Sequence, residues 1–170
     1  MISAEDLMDW LKKIDSRLKE KMTLVAVGGT AMTLLHLKPS TIDVDFCLAK
    51  KDAVLFNEAM PPSKFKVDIF IGGFIFSEQL PEDYADKSKD IISGFKNITL
   101  KALSLEDIII TKAARYNERD EEDIATITKS RKVDKDSLVA RFNKVKDSFA
   151  GRKEDYEYHF NLIIRRHFSP

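Results

Sequence analysis

The sequence predicts an α+β protein, a small mixed β-sheet flanked by helices and followed by a C-terminal helical segment. Two observations carry this reading. Short β-branched or alternating runs recur at Thr23–Val27, Ile42–Leu48, Phe65–Ile71 and Asn97–Leu103, with helical spacing between them. From Ser104 onward only helical spacing remains, so the expected division is a core of residues 1–103 with a helical region of residues 104–170 packed on it.

The elements follow in order. Ser3 with Asp6 reads as a capping box, and Leu7, Trp10, Leu11, Ile14 and Leu18 share one face of a 3.6-residue period, which predicts an amphipathic first helix. Thr23–Val27 is a buried strand stopped by Gly28-Gly29, and Thr30–Leu37 returns to helical spacing before Pro39-Ser40 ends it. In Ile42–Leu48, alternation places Ile42, Val44 and Phe46 on one face and Asp43, Asp45 and Cys47 on the other. Lys51–Met60 is helical up to Pro61-Pro62, and Phe65–Ile71 is a further strand with Asp68 on the face opposite Val67, Ile69 and Ile71. Gly72-Gly73 turns the chain, Phe74–Phe76 continues as a short strand, and Glu78–Lys89 is polar and expected to be a loop. Ser104 with Asp107 resembles a second capping box, and four helices follow, from Leu105, over Asp120–Lys129, over Asp134–Phe149 and over Arg152–His167.

Composition narrows the classes of partner. Lys plus Arg equals Asp plus Glu at 28 each in 170 residues, so no whole-protein field draws the chain to nucleic acid or membrane, and any polyanion must meet a local patch. The single cysteine, Cys47, excludes an intrachain disulfide and reads as a buried thiol. His36, His159 and His167 are isolated, with no zinc-like spacing. Without an apolar run of spanning length or a signal-peptide core after Met1, the expected compartment is the cytoplasm, with no membrane partner.

The chemistry concentrates between Gly28 and Asp68. Asp43 and Asp45 are two apart on a predicted strand, so their carboxylates share a side, where like charges repel unless solvent or a cation neutralises them. Hard oxygen donors in this pattern suit Mg²⁺ or Mn²⁺, and Asp68 joins them if its strand is the neighbour. Gly28-Gly29 between a strand and a helix beginning near Thr30 places free N–H groups at a positive helix end, which favours phosphate. The bland alternatives are a plain tight turn for the glycines and a solvated strand edge for the acids.

Taken together, Gly28-Gly29-Thr30, Thr41-x-Asp43-x-Asp45 and a lone Asp68 in an apolar strand resemble the nucleotidyltransferase superfamily related to DNA polymerase β. The Gly29–Asp43 gap is slightly longer than the family's spacing. The form is most similar to the minimal prokaryotic branch that includes the AbiEii-type toxins of toxin–antitoxin and phage-defence systems. Lys112-Ala113-Ala114-Arg115 with Arg119-Asp120-Glu121-Glu122-Asp123-Ile124 resembles that branch's helical motif.

The resemblance implies the nucleotidyltransferase fold and a Mg²⁺- or Mn²⁺-dependent transfer of a nucleoside monophosphate from a nucleoside triphosphate such as ATP to a hydroxyl on RNA, protein or a small molecule. It implies that Gly28, Gly29 and Thr30 hold the triphosphate, that Asp43 and Asp45 hold metal, that Asp68 holds metal or takes the acceptor proton, and that Lys112 neutralises phosphate. For Lys112 and Arg115 the other reading is ion pairing with Asp120 or Asp123. Two other classes of function stay open, a non-catalytic nucleotide-binding or antitoxin-like module on the same fold, and an interaction protein whose Asp-x-Asp is incidental.

Overall fold

The computed structural model describes residues 1–168. In chain order the elements are β1 (Ile2–Ser3), α1 (Ala4–Arg17), β2 (Met22–Ala26), α2 (Gly28–Leu34), β3 (Ser40–Thr41), β4 (Val44–Leu48), α3 (Lys50–Ala59), β5 (Val67–Ile71), β6 (Phe74–Ile75), β7 (Glu78–Gln79), α4 (Tyr84–Lys87), β8 (Lys89–Asp90), β9 (Ile98–Ala102), α5 (Leu105–Arg115), α6 (Glu118–Ser130), α7 (Lys135–Val145), a 3₁₀ turn at Lys146–Ser148, and α8 (Lys153–His167). They form two compact units, one of residues 1–73 and 85–103, the other of residues 74–84 with the chain from Ser104 on. The α+β class expected from the sequence is the one observed. Among the described residues no helix is long and apolar enough to cross a membrane.

In the first unit the strand order is β5-β4-β2-β9-β8. β2 runs antiparallel to β4 and parallel to β9, while β4 and β5 are parallel, which makes the sheet mixed. Leu24, Val25 and Ala26 of β2 are buried with Val44, Phe46, Cys47 and Leu48 of β4, as suits near-continuous apolar strands covered on both faces. Phe46 meets Phe56 of α3 edge-on at 6.1–6.3 Å together with Trp10 of α1, so α1 and α3 cover one face. The capping box of α1 is formed, with Ser3 Oγ accepting from Asp6 N–H and Asp6 Oδ2 accepting from Ser3 N–H. Asp15, on the buried side of α1, accepts from the N–H groups of Lys96, Asn97 and Ile98 at 2.7–2.9 Å and so pins the helix to the start of β9. Cys47 is buried and accepts from Gly73 N–H.

Several expectations are corrected here. The helix expected over Thr30–Leu37 starts at Gly28 and stops at Leu34. Its stop is a Schellman end, in which His36 takes φ 59°, His36 N–H reaches Thr33 O and Leu37 N–H reaches Met32 O. Ile42 does not share a packed face with Val44. It is 59% exposed, because the Thr41 and Thr30 hydroxyls both bond the Asp43 carbonyl and bend the chain before β4 begins. Glu78–Lys89 is not a loop throughout but contains β7, α4 and the start of β8, anchored by buried Leu80.

In the second unit β6 and β7 form a hairpin, with Ile75 opposite Glu78. Ala150 N–H donates to Ser77 O and ties this hairpin to the helical part of the unit. Ile108, Ile109, Ile110 and Ala113 make α5 the buried central helix, against which Phe142, Tyr156 and Phe160 pack, and the Phe142 and Phe160 rings stack at 3.8 Å. Tyr156 Oη donates to Ile110 O at 3.1 Å. Ser104 caps α5 by accepting from Asp107 N–H. The Asp107 carboxylate, however, takes a two-toothed bond from Arg141 at 2.7 Å on each oxygen.

Candidate active site

The glycine turn and the acidic segment are one physical object. Val27 N–H donates to Asp45 O at 3.1 Å, joining the end of β2 to β4. Thr30, fully buried, accepts from Asp45 N–H at 2.9 Å and donates to Asp43 O, so its hydroxyl clips the Asp-x-Asp backbone to the first turn of α2. Thr41 adds a second bond to Asp43 O at 2.9 Å.

Both glycines are required by this approach. Gly28 has φ +54°, and a Cβ there would lie 3.5 Å from Asp45 Oδ2. At Gly29 the difficulty is space alone, since an added Cβ would stand 2.8 Å from Thr41 Oγ1. The Gly28 backbone thus lies against the Asp45 carboxylate and the Gly29 backbone against the Thr41 side chain.

Asp68 joins through the sheet. β4 and β5 are parallel with Asp45 directly opposite Asp68, so the two side chains emerge from the same face on adjacent strands. Asp43 precedes them in the bend and not in the strand itself. Their partner is a residue that the sequence reading passed over. Lys66 Nζ lies 2.9 Å from Asp68 Oδ2, and the Lys66 carbonyl accepts from Val44 N–H at 2.9 Å. The hydrogen bond and charge of Asp68, then the charges of Asp43 and Asp45, raise the Lys66 ammonium above the ordinary lysine pKa, so it stays protonated. Its position two residues before Asp68 is the signal that would have found it, because residues i and i+2 of an extended segment share a face. Lys66 and Asp43 also line a cleft of about 380 Å³ with Ile2, Ile42, Lys64 and Phe65.

The donor chemistry, three carboxylates, is of the kind that fits a hard divalent cation. Among the described residues, however, no three His, Cys, Asp or Glu side chains converge as a ready-made coordination sphere. Asp68 is turned to Lys66 instead.

Lys112 belongs to the second unit, where its ammonium is buried 2.7 Å from Asp123 Oδ2 and 3.6 Å from Asp120 Oδ1. Arg115 forks onto both Asp120 oxygens at 2.8 Å. Burial alone would raise Asp120, but the Arg115 bonds, the Lys112 charge and the Asn117 N–H together hold it below the ordinary carboxylate range. The helical motif Lys112–Asp123 thus forms an ion-pair network that joins α5 to α6. His159 Nδ1 is 2.9 Å from Ala113 O, His167 pairs with Glu121, and His36 ends α2.

A mixed sheet with helices, a Gly-Gly turn against an Asp-x-Asp and a third Asp on the neighbouring parallel strand defines the nucleotidyltransferase class of fold. The family model described as "Nucleotidyltransferase of unknown function (DUF6036)" matches residues 4–169, and the chain belongs to that family. Among solved structures it is similar to the crystal structure of a "putative nucleotidyltransferase (TM1012)" from Thermotoga maritima. The TM-score is 0.50 at 16% identity, over 77% of this chain and 97% of that one, a likeness of fold. No curated protein sequence matches the chain.

Proposed function

We propose that the protein is a Mg²⁺- or Mn²⁺-dependent nucleotidyltransferase that moves a nucleoside monophosphate from a nucleoside triphosphate to a hydroxyl. The observation that carries the reading is the register of Asp45 with Asp68, beside a glycine backbone packed against Asp45. The N–H groups around Gly28 and Gly29 would meet the phosphates, while Thr30 holds the acidic segment in place. Asp43, Asp45 and Asp68 would hold the divalent cation, which when bound neutralises the phosphates and the charge that develops on them. In the transfer, the acceptor oxygen would bond the α-phosphorus as the bond to the departing pyrophosphate breaks, and Asp68 would hold metal or take the hydroxyl proton. The resemblance of the glycine and helical motifs to the AbiEii-type branch supports a toxin–antitoxin or phage-defence setting in the cytoplasm, with RNA or a partner protein as acceptor.

The test is incubation with each α-labelled triphosphate, Mg²⁺ and a cell lysate, with Asp45→Asn as control. Label on RNA or protein that disappears in the variant is the expected result. Equal labelling by both proteins would overturn the assignment. The Lys66–Asp68 ion pair favours one second reading, a module that binds nucleotide without transfer, because an acid already neutralised by an ammonium serves poorly as base. Calorimetric binding of a triphosphate with no labelled product from any acceptor fraction would select that reading.

A further inference from the structure

Lys66 is the one feature of the acid face that the proposed reaction does not use. Its side chain is 66% exposed, yet its tip returns to Asp68 Oδ2 at 2.9 Å. Val44 N–H bonds the Lys66 carbonyl and places its Cα beside the entry to β4. By formal charge, three aspartates and one lysine leave the amount that a single divalent cation balances. Among the described residues the acids do not converge as a coordination sphere, and the Asp68 carboxylate faces a lysine.

We infer that Lys66 is the resident counter-ion of this site, holding the Asp68 carboxylate until a divalent cation displaces its ammonium, and thereby setting how much cation the site requires. The inference rests on the metal-dependent reading above. It makes Lys66 a positioning residue, acting through Asp68. An ammonium a few ångströms from a divalent ion opposes it by Coulomb repulsion, weakened by solvent and salt at an exposed position. Its removal should therefore tighten cation binding, and removal of a ligand should abolish it.

The experiment is titration of the full chain with Mn²⁺ in the absence of nucleotide, following free Mn²⁺ by electron paramagnetic resonance. Lys66→Gln should bind about fivefold to tenfold more tightly than the unmodified protein at low ionic strength, with the gap narrowing as salt is added. Lys66→Arg, which restores the charge, should return affinity to near the original, and Asp45→Asn should lose binding. If the unmodified protein binds Mn²⁺ through Asp45 but Lys66→Gln binds no more tightly, the counter-ion inference is overturned and the metal-dependent reading stands. If neither the unmodified protein nor Lys66→Gln binds Mn²⁺, the counter-ion inference is overturned, and the metal-dependent reading is decided by the labelling test, in which the triphosphate supplies part of the coordination.

Discussion

Gly29→Ala offers a test of the site's construction that needs no substrate. In a helix, alanine is ordinarily favoured over glycine by roughly 0.5–1 kcal/mol, and Gly29 lies in the first turn of α2. Here the new methyl group would meet Thr41 Oγ1 at 2.8 Å, closer than real Cβ contacts come, while Thr41 Cβ stands at an ordinary 3.7 Å. The conflict is therefore with one hydroxyl. Relieving it means rotating Thr41 and losing its 2.9 Å bond to Asp43 O, about 1 kcal/mol, or retaining overpacking strain of about 1–3 kcal/mol.

Gly29→Ala should consequently be neutral to destabilising by about 2 kcal/mol in the natural background. In a Thr41→Ala background the clash is gone, and the same substitution should stabilise by roughly 0.5–1 kcal/mol. Urea denaturation of the four proteins of this double-mutant cycle reads the coupling directly. Destabilisation by Gly29→Ala of equal size in both backgrounds would show that Thr41 is not what excludes a side chain at Gly29.

Three further outcomes follow from the same geometry. Asp15→Ala takes the acceptor from three N–H donors at the start of β9, of which that of Ile98 is buried, and should cost about 1–3 kcal/mol by urea denaturation. Burial would raise Asp15, but those N–H bonds and the Lys96 charge prevail and lower its pKa, so its stabilisation is full above the ordinary carboxylate value of 3.8 and is lost as pH falls through the lowered one; Asp15→Asn should flatten that acid limb. Glu78, 4% exposed and near Arg115, Asp120 and Tyr156, is pushed by burial from an ordinary 4.5 up to about 8. Between those values the folded state keeps a proton that the unfolded chain releases, so stability falls as pH rises, and Glu78→Gln should remove that fall in melting temperature between mildly acidic and mildly alkaline pH.

What the sequence made legible was whatever local pattern governs. β2, β4, β5 and β9 are β-branched or alternating runs bounded by Gly, Pro or Asn, and each appears within a residue or two of its expected place. The helix α1 was equally plain, because Ser3, Asp6 and an apolar stripe agree with one another. The acids and the glycines were legible as residue types, but their union was not, since it depends on β4 pairing with both β2 and β5 and on two threonine hydroxyls bonding one carbonyl. Asp15 was hidden because its partners lie 81 to 83 residues further along the chain. Lys66 was passed over although it lies within the strand expected over Phe65–Ile71, because its residue type looks like any exposed lysine. The hairpin of β6 and β7 was misread as partly loop, its two-residue strands being too short to show a period.

The two groups of acids meet cations in opposite ways, and the contrast sorts their roles. Asp120 and Asp123 are buried and held by Lys112 and the Arg115 fork, so removing a partner leaves charge stranded in a dry place. Lys112→Met should therefore cost about 3–5 kcal/mol and lower the melting temperature sharply, whatever else Lys112 does. Asp43, Asp45 and Asp68 are only half-buried, and Asp68 faces an exposed lysine tip. An ion pair so exposed contributes little to stability, which makes it readily exchanged for another cation. Lys66→Gln should leave melting nearly unchanged while altering Mn²⁺ affinity. A site that must accept and release a charged substrate needs the second arrangement, and a helix junction needs the first. If Lys112→Met melted like the unmodified protein, the helical motif would not be the fastening described, and its lysine would be free for the phosphate role that the resemblance implies.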